Sequence, residues 1–121
     1  MAMAKVLVVD DEFAVLALVA GALSMQGYEV CAVPDPKQAI ELVKKESPCF
    51  DLLVSDVNLP DVCGPELARE VKLICPTIAI VMMSGNFDVQ KIPSGAGFIS
   101  KPFLLTDLYS VVAHALARSS N

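Results

Sequence analysis

Positive charge is scarce in this chain. Nine lysines and arginines stand against fourteen aspartates and glutamates, leaving a formal charge of −5 and a pI of about 4.6. Phosphate backbones attract basic surfaces, so direct binding of nucleic acid is not expected. Histidine is nearly absent, with His114 alone, and Cys31, Cys49, Cys63 and Cys75 lie far apart with no C-x-x-C pair. That spacing speaks against a zinc site. Export signals are missing as well, since the first apolar run, residues 6–9, ends at once in Asp10-Asp11-Glu12. A disulfide framework is therefore not expected, and the reading is four reduced thiols in a cytoplasmic protein. Long hydrophobic runs are lacking too: the apolar stretch Phe13–Met25 is shorter than the ~18–20 residues that cross a bilayer. Repeats, low-complexity tracts and interdomain linkers do not occur. What remains is a chain of 121 residues, 55% of them hydrophobic, read as one domain over 1–121 with enough apolar matter for a core.

Apolar runs alternate with helical patterns along the whole length. Strands are expected at residues 6–9, 28–33, 52–55, 78–83 and 97–100, and three of them are continuous enough to be covered on both faces. Helices are expected at 12–26, 36–45, 65–74 and 105–118. Gly27 closes the first helix. Asp35 caps the second, with Pro36 at the first helical position and Gln38 placed to complete a capping box. Gly64-Pro65 opens the third. Val15, Leu18, Val19, Ala22 and Leu23 follow the spacing of a buried stripe on the first helix. Strand–helix alternation of this kind implies a five-stranded, doubly wound parallel sheet in the order 2-1-3-4-5, with helices on both faces. Ligands in such sheets sit at the carboxyl ends of the strands.

Acidic and polar residues collect at those ends. The first strand runs into Asp10-Asp11-Glu12, the third into Asp56, the fourth into Ser84-Gly85 and the fifth into Lys101-Pro102. Adjacency of strands one and three brings carboxylates together, and like charges that close raise one another's pKa unless a cation intervenes. Hard oxygen ligands with room for water suit Mg²⁺. A carboxylate can attack a phosphoryl group when metal and ammonium neutralise its oxygens, giving a transient acyl phosphate that a nearby hydroxyl can sense. Each residue also has a plainer reading. Asp10 and Asp11 could cap the following helix, Ser84-Gly85 could be an ordinary turn, and Phe98 could be a core aromatic.

Four stretches, Val6 to Glu12, Asp51 to Asp61, Met83-Ser84-Gly85 and Phe98 to Phe103, closely resemble the response-regulator receiver family of two-component signalling. They occur in the family's order, and the match spans nearly the whole chain. The resemblance implies a flavodoxin-like fold and a module that takes a phosphoryl group from a histidine kinase or a histidine phosphotransfer domain. It implies Asp56 as phospho-acceptor, Asp10 and Asp11 as the acidic pair for Mg²⁺ with Asp11 the direct ligand, and Asn58 lending the metal its backbone carbonyl. Ser84 and Phe98 match the family's switch pair, and Lys101 its phosphate-binding lysine, with Lys101-Pro102 cis. Self-catalysed phosphoryl transfer and slow autodephosphorylation are implied, rather than an enzyme acting on a separate substrate. Asn58 and Asn86 fall where the family tunes the lifetime of the phosphoryl group.

Two features depart from the pattern. Ser84 and Lys101 are only seventeen positions apart, and Pro93-Ser94-Gly95 interrupts the interval, so a fourth helix is expected to be short or absent. This resembles the terminal receivers of hybrid histidine kinases. The outward stripe of the first helix, with Leu16, Ala17, Ala20, Gly21, Ser24 and Met25, is uncharged and is expected to dock the phosphodonor or to support self-association. Two other classes stand beside this reading. A degenerate receiver would bind partners without phosphorylation, against which the set Asp11, Asp56, Ser84 and Lys101 is complete. A haloacid-type phosphatase would place a second acid two residues after its nucleophile, where this chain has Asn58.

Overall fold

The unbroken apolar runs form the centre of a sheet. In the computed structural model, which describes residues 3–46, 48–85 and 92–119, five parallel strands lie in the order β2-β1-β3-β4-β5. They are β1 (Lys5–Val9), β2 (Glu29–Val33), β3 (Leu52–Asp56), β4 (Ala79–Ser84) and β5 (Gly97–Ser100). Every residue of β3 is buried, as a central parallel strand requires. Val9 pairs with Ser55, Asp56 with Met83 and Ser84 with Ser100. Those registers align the carboxyl ends of four strands at one rim.

Four helices are found among the described residues: α1 (Phe13–Met25), α2 (Pro36–Lys45), α3 (Gly64–Ile74) and α4 (Leu105–Ser119). Side chains alternate across the sheet and build two cores. Val6, Val8, Val54 and Val81 meet Leu23 of α1 with Leu108 and Val112 of α4 on one face. Leu7, Leu53 and Met82 meet Val43 of α2 with Leu67 and Val71 of α3 on the other. Each fully buried aliphatic side chain contributes about 1.5–3 kcal/mol relative to exposure. The interval expected to hold a short fourth helix falls mostly on residues 86–91, outside the described residues, as does Asn86.

Local chemistry fixes the helix ends. Asp35 Oδ1 accepts from the Gln38 backbone N–H at 2.8 Å, and the Gln38 amide donates to Oδ2 at 2.8 Å. The glutamine thus binds the capping carboxylate instead of reaching the cap's own N–H. These hydrogen bonds hold the Asp35 carboxyl below its ordinary value. At Gly27 the chain leaves α1 with φ of 97°, a conformation that costs a glycine nothing.

One expectation is corrected. On α1 the buried residues are Leu16, Val19, Ala22 and Leu23, whereas Leu18 is 51% exposed. Nearly every residue of this helix is apolar, so the composition carries no phase and the inward face is chosen by packing alone. Leu16 therefore belongs to the core, and Leu18 takes its place on the outward face. Cys49 and Cys75 meet with their Cα atoms 6.3 Å apart. The two partners are 26 positions apart in sequence. They meet because the chain enters β3 and leaves α3 at the same end of the sheet.

Candidate functional site

The rim at the carboxyl ends of β1, β3, β4 and β5 gathers the charged residues. Asp10 leaves β1 fully buried, and Asp56 closes β3 at 5% exposure. Asp11, exposed, stands beside them, and one carboxylate oxygen from each of Asp10, Asp11 and Asp56 lies within 4.8 Å of the others. Lys101, brought in by the turn after β5, places Nζ 2.9 Å from Asp10 Oδ2 and 3.3 Å from Asp56 Oδ2. Its backbone is anchored where Lys101 N–H donates to the Ser84 carbonyl at 2.8 Å. The Lys101-Pro102 peptide is cis, as expected.

Electrostatics divides the roles. Burial pushes the Asp56 carboxyl above its ordinary value, with Asp10 adding to the rise, while Lys101 and the Asn58 N–H oppose it. Burial also pulls the Lys101 ammonium down, but its hydrogen bond to Asp10 and the charges of Asp10 and Asp56 outweigh that and hold it above 10.5. Asp10 is engaged at both oxygens, Oδ1 accepting from the Glu12 N–H at 2.8 Å and Oδ2 from Lys101. Asp11 is the more available of the adjacent pair. The donor set is all oxygen, which fits a hard divalent cation such as Mg²⁺ and not a soft metal.

The segment after Asp56 folds back tightly. Val57 N–H donates to the Met83 carbonyl and Gly64 N–H to the Val57 carbonyl, both at 2.8 Å. Asp61 supplies the turn with φ of 67°, a region that aspartate tolerates better than most residues. Asn58 is exposed, and its N–H donates to Asp56 Oδ1 at 3.4 Å.

The structure brings together Asp10, Asp11, Asp56 and Lys101. Ser84 lies buried at the end of β4 next to this group. Phe98 sits elsewhere, half-buried on the face covered by α2 and α3. Two contributors were not assigned from the sequence. Glu12 approaches Lys101 Nζ at 3.5 Å, although it is largely exposed. Gly64 was read only as a helix opener, yet a Cβ there would collide with the Asp56 carbonyl oxygen, so glycine lets α3 close against the acceptor loop. A glycine at the start of a helix just past a candidate nucleophile was the available signal.

A doubly wound sheet with buried carboxylates and one lysine at the carboxyl rim defines a phosphosignalling class. The chain belongs to the response regulator receiver domain family, whose model matches residues 6–113. It is a receiver domain of the two-component type. It is 38% identical over 97% of its length to the transcriptional regulatory protein TrcR of Mycobacterium tuberculosis, covering 47% of that protein. It is 34% identical over 95% of its length to the sensor kinase CckA of Brucella abortus, covering 13% of it. Among solved structures, a CheY-like receiver from Methanospirillum hungatei superposes with a TM-score of 0.89 at 26% identity, covering 98% of both chains. The chain thus spans less than half the length of these two curated relatives.

Proposed function

We propose that Asp56 accepts a phosphoryl group from a phosphohistidine and that residues 1–121 act as one receiver unit. The supporting observation is the position of Lys101, whose ammonium lies on both Asp10 and Asp56 at the rim. An Asp56 oxygen attacks phosphorus as the bond to the donor's imidazole nitrogen breaks. That nitrogen keeps the electron pair and takes a proton, and the phosphoryl group is left as an acyl phosphate. Lys101 shifts from pairing carboxylates to neutralising the phosphoryl oxygens. Asp10 orients Lys101, and the Ser84 hydroxyl donates to a phosphoryl oxygen, with Phe98 following as the switch. Asp10, Asp11, Asp56 and the Asn58 carbonyl would hold Mg²⁺, which when bound supplies charge neutralisation at the transferred group. Water then cleaves the acyl phosphate slowly, so the chain acts on itself rather than as an enzyme on a separate substrate.

The donor is a histidine kinase or a histidine phosphotransfer domain in the cytoplasm, and the docking face is the outward side of α1. Phe13 and Met25 there are 81% and 88% exposed, and the helix carries no charged residue. Such an apolar face on an acidic protein favours a helical partner, with self-association as the competing use. The output of any longer protein that contains this unit lies beyond these residues. The test is transfer of a labelled phosphoryl group from a phosphohistidine domain. Label is expected to move to this chain and not to an Asp56→Asn variant, and label on the variant would reject the assignment.

A further inference from the structure

Two cysteines meet at the end of the sheet opposite the acidic rim. Cys49 lies just before β3, and Cys75 closes α3. Their Cα atoms are 6.3 Å apart, inside the span of about 4.4–6.8 Å that a disulfide bridges. Both backbones are held in place. Cys75 N–H donates to the Val71 carbonyl at 2.7 Å, and the Cys75 carbonyl accepts from Ile78 N–H at 3.1 Å. On the other side, the Pro48 carbonyl accepts from Lys5 Nζ at 3.1 Å, and Asp51 N–H donates to the Lys5 carbonyl at 2.7 Å. The Asp51 carbonyl in turn accepts from Ala79 N–H at 3.0 Å. The approach of the two cysteines therefore belongs to the folded sheet.

Their surroundings differ. Cys75 is 3% exposed, in the same apolar cluster as Phe50, Val71 and Ile78, whereas Cys49 is half-buried at its margin. A reagent arriving from solvent thus reaches Cys49 first, with Cys75 standing behind it. The other two cysteines are placed elsewhere, Cys31 within β2 and Cys63 at the opposite end of α3. Between Cys49 and Cys75 the chain runs through β3, Asp56, the acceptor loop and the whole of α3. A bond between them would close 26 positions around the candidate phospho-acceptor. Cross-links of this kind stabilise a fold by restricting the unfolded chain.

We propose that Cys49 and Cys75 are a redox modification site, at which a low-molecular-weight disulfide such as oxidised glutathione forms an intramolecular bond that braces the segment carrying Asp56. In a reducing compartment the pair stands as a dithiol. On oxidation the Cys49 thiolate attacks one sulfur of the glutathione disulfide, and one glutathione leaves with the electron pair of the broken bond. The Cys75 thiolate then attacks the Cys49 sulfur of the mixed disulfide and releases the second glutathione. The two protons lost by the cysteines end on the two glutathiones. The protein pair is oxidised by two electrons, and the glutathione disulfide is reduced by the same two. This inference does not rest on phosphorylation of Asp56.

The experiment uses the Cys31→Ser/Cys63→Ser double variant, which keeps this pair alone, folded and incubated with excess oxidised glutathione. It is expected to lose two hydrogens in intact mass and to resist alkylation at both thiols. Its melting midpoint is expected to rise by about 5–10 °C, and dithiothreitol should reverse all three changes. A Cys49→Ser variant is expected to show neither the mass loss nor the rise, and Cys75→Ala repeats that control should Cys49→Ser fail to fold. Should the double variant fail to fold, the wild-type chain is oxidised in the same way and its bond located by fragment mapping. A bond between Cys49 and Cys75 is expected there, and one to Cys31 or Cys63 would overturn the proposal. Single glutathione adducts only, two thiols that stay open to alkylation, or disulfide-linked dimers in place of the internal bond would overturn it. So would an oxidised chain whose melting midpoint does not rise.

Discussion

The two ends of the sheet are built on opposite electrostatic lines. At the amino end, Lys5 is satisfied from every side: Glu46 at 2.9 Å, the Pro48 carbonyl at 3.1 Å and the Phe50 ring at 5.1 Å. Its backbone N–H donates to Asp51 at 2.8 Å, and Cys49 and Cys75 meet at the same end. At the carboxyl end, buried Asp10 and Asp56 share one lysine, and Asp11 adds a third carboxylate. Charge there exceeds what stability calls for. The amino end balances its charges locally, and the carboxyl end keeps a surplus of negative charge that a divalent cation would neutralise. Sites tuned for chemistry commonly sacrifice stability in this way.

Breaking the carboxyl end should have the largest effect. Lys101→Ala removes the cation that serves both acids, and the rate of phosphorylation by acetyl phosphate with Mg²⁺ should fall by about a hundredfold. A rate near wild type would mean that the lysine is structural. The α1 face sharpens the contrast between chemistry and docking. Leu18→Glu should slow transfer from a phosphohistidine domain by about tenfold, the weight of one good contact residue, and leave acetyl phosphate labelling unchanged. Loss of both reactions together would place Leu18 in the fold rather than in a docking surface.

The amino end should respond in the opposite sense. Lys5→Ala is expected to lower the melting midpoint by several degrees and to leave the phosphorylation rate as it was; a slowed reaction would show that the two ends are coupled. Asp35→Ala should cost about 1 kcal/mol at neutral pH by chemical denaturation, as loss of an N-cap does. Its folded carboxyl lies below the ordinary 3.8. The stabilisation due to its charge is therefore complete above that value and is lost as pH falls through the depressed folded one. A cost that stays constant into acid would remove charge from the explanation of this cap.

Much of this was legible in the residues. Strands β1, β3 and β4 are continuous apolar runs, and their alternation with helices leaves little choice of topology. Asp10, Asp11, Asp56 and Lys101 were readable because each stands at or just past the carboxyl end of a strand, so the sheet itself gathers them. The α1 face was not readable, because a helix that is apolar almost all round does not announce which side is inward. The closeness of Cys49 and Cys75 was not readable either, because it depends on where two connections end, which no local pattern encodes. Gly64 was undervalued for a similar reason: the closeness of Asp56 to the start of α3 is a fact of packing.

The most direct measurement is the intact mass of the chain after incubation with acetyl phosphate, with and without Mg²⁺, beside the Asp56→Asn variant. The account predicts one phosphoryl increment on the wild type that requires Mg²⁺ and is absent from the variant. An increment of equal size on Asp56→Asn, or no increment on a wild-type chain that demonstrably binds Mg²⁺ and is sampled within seconds, would contradict it.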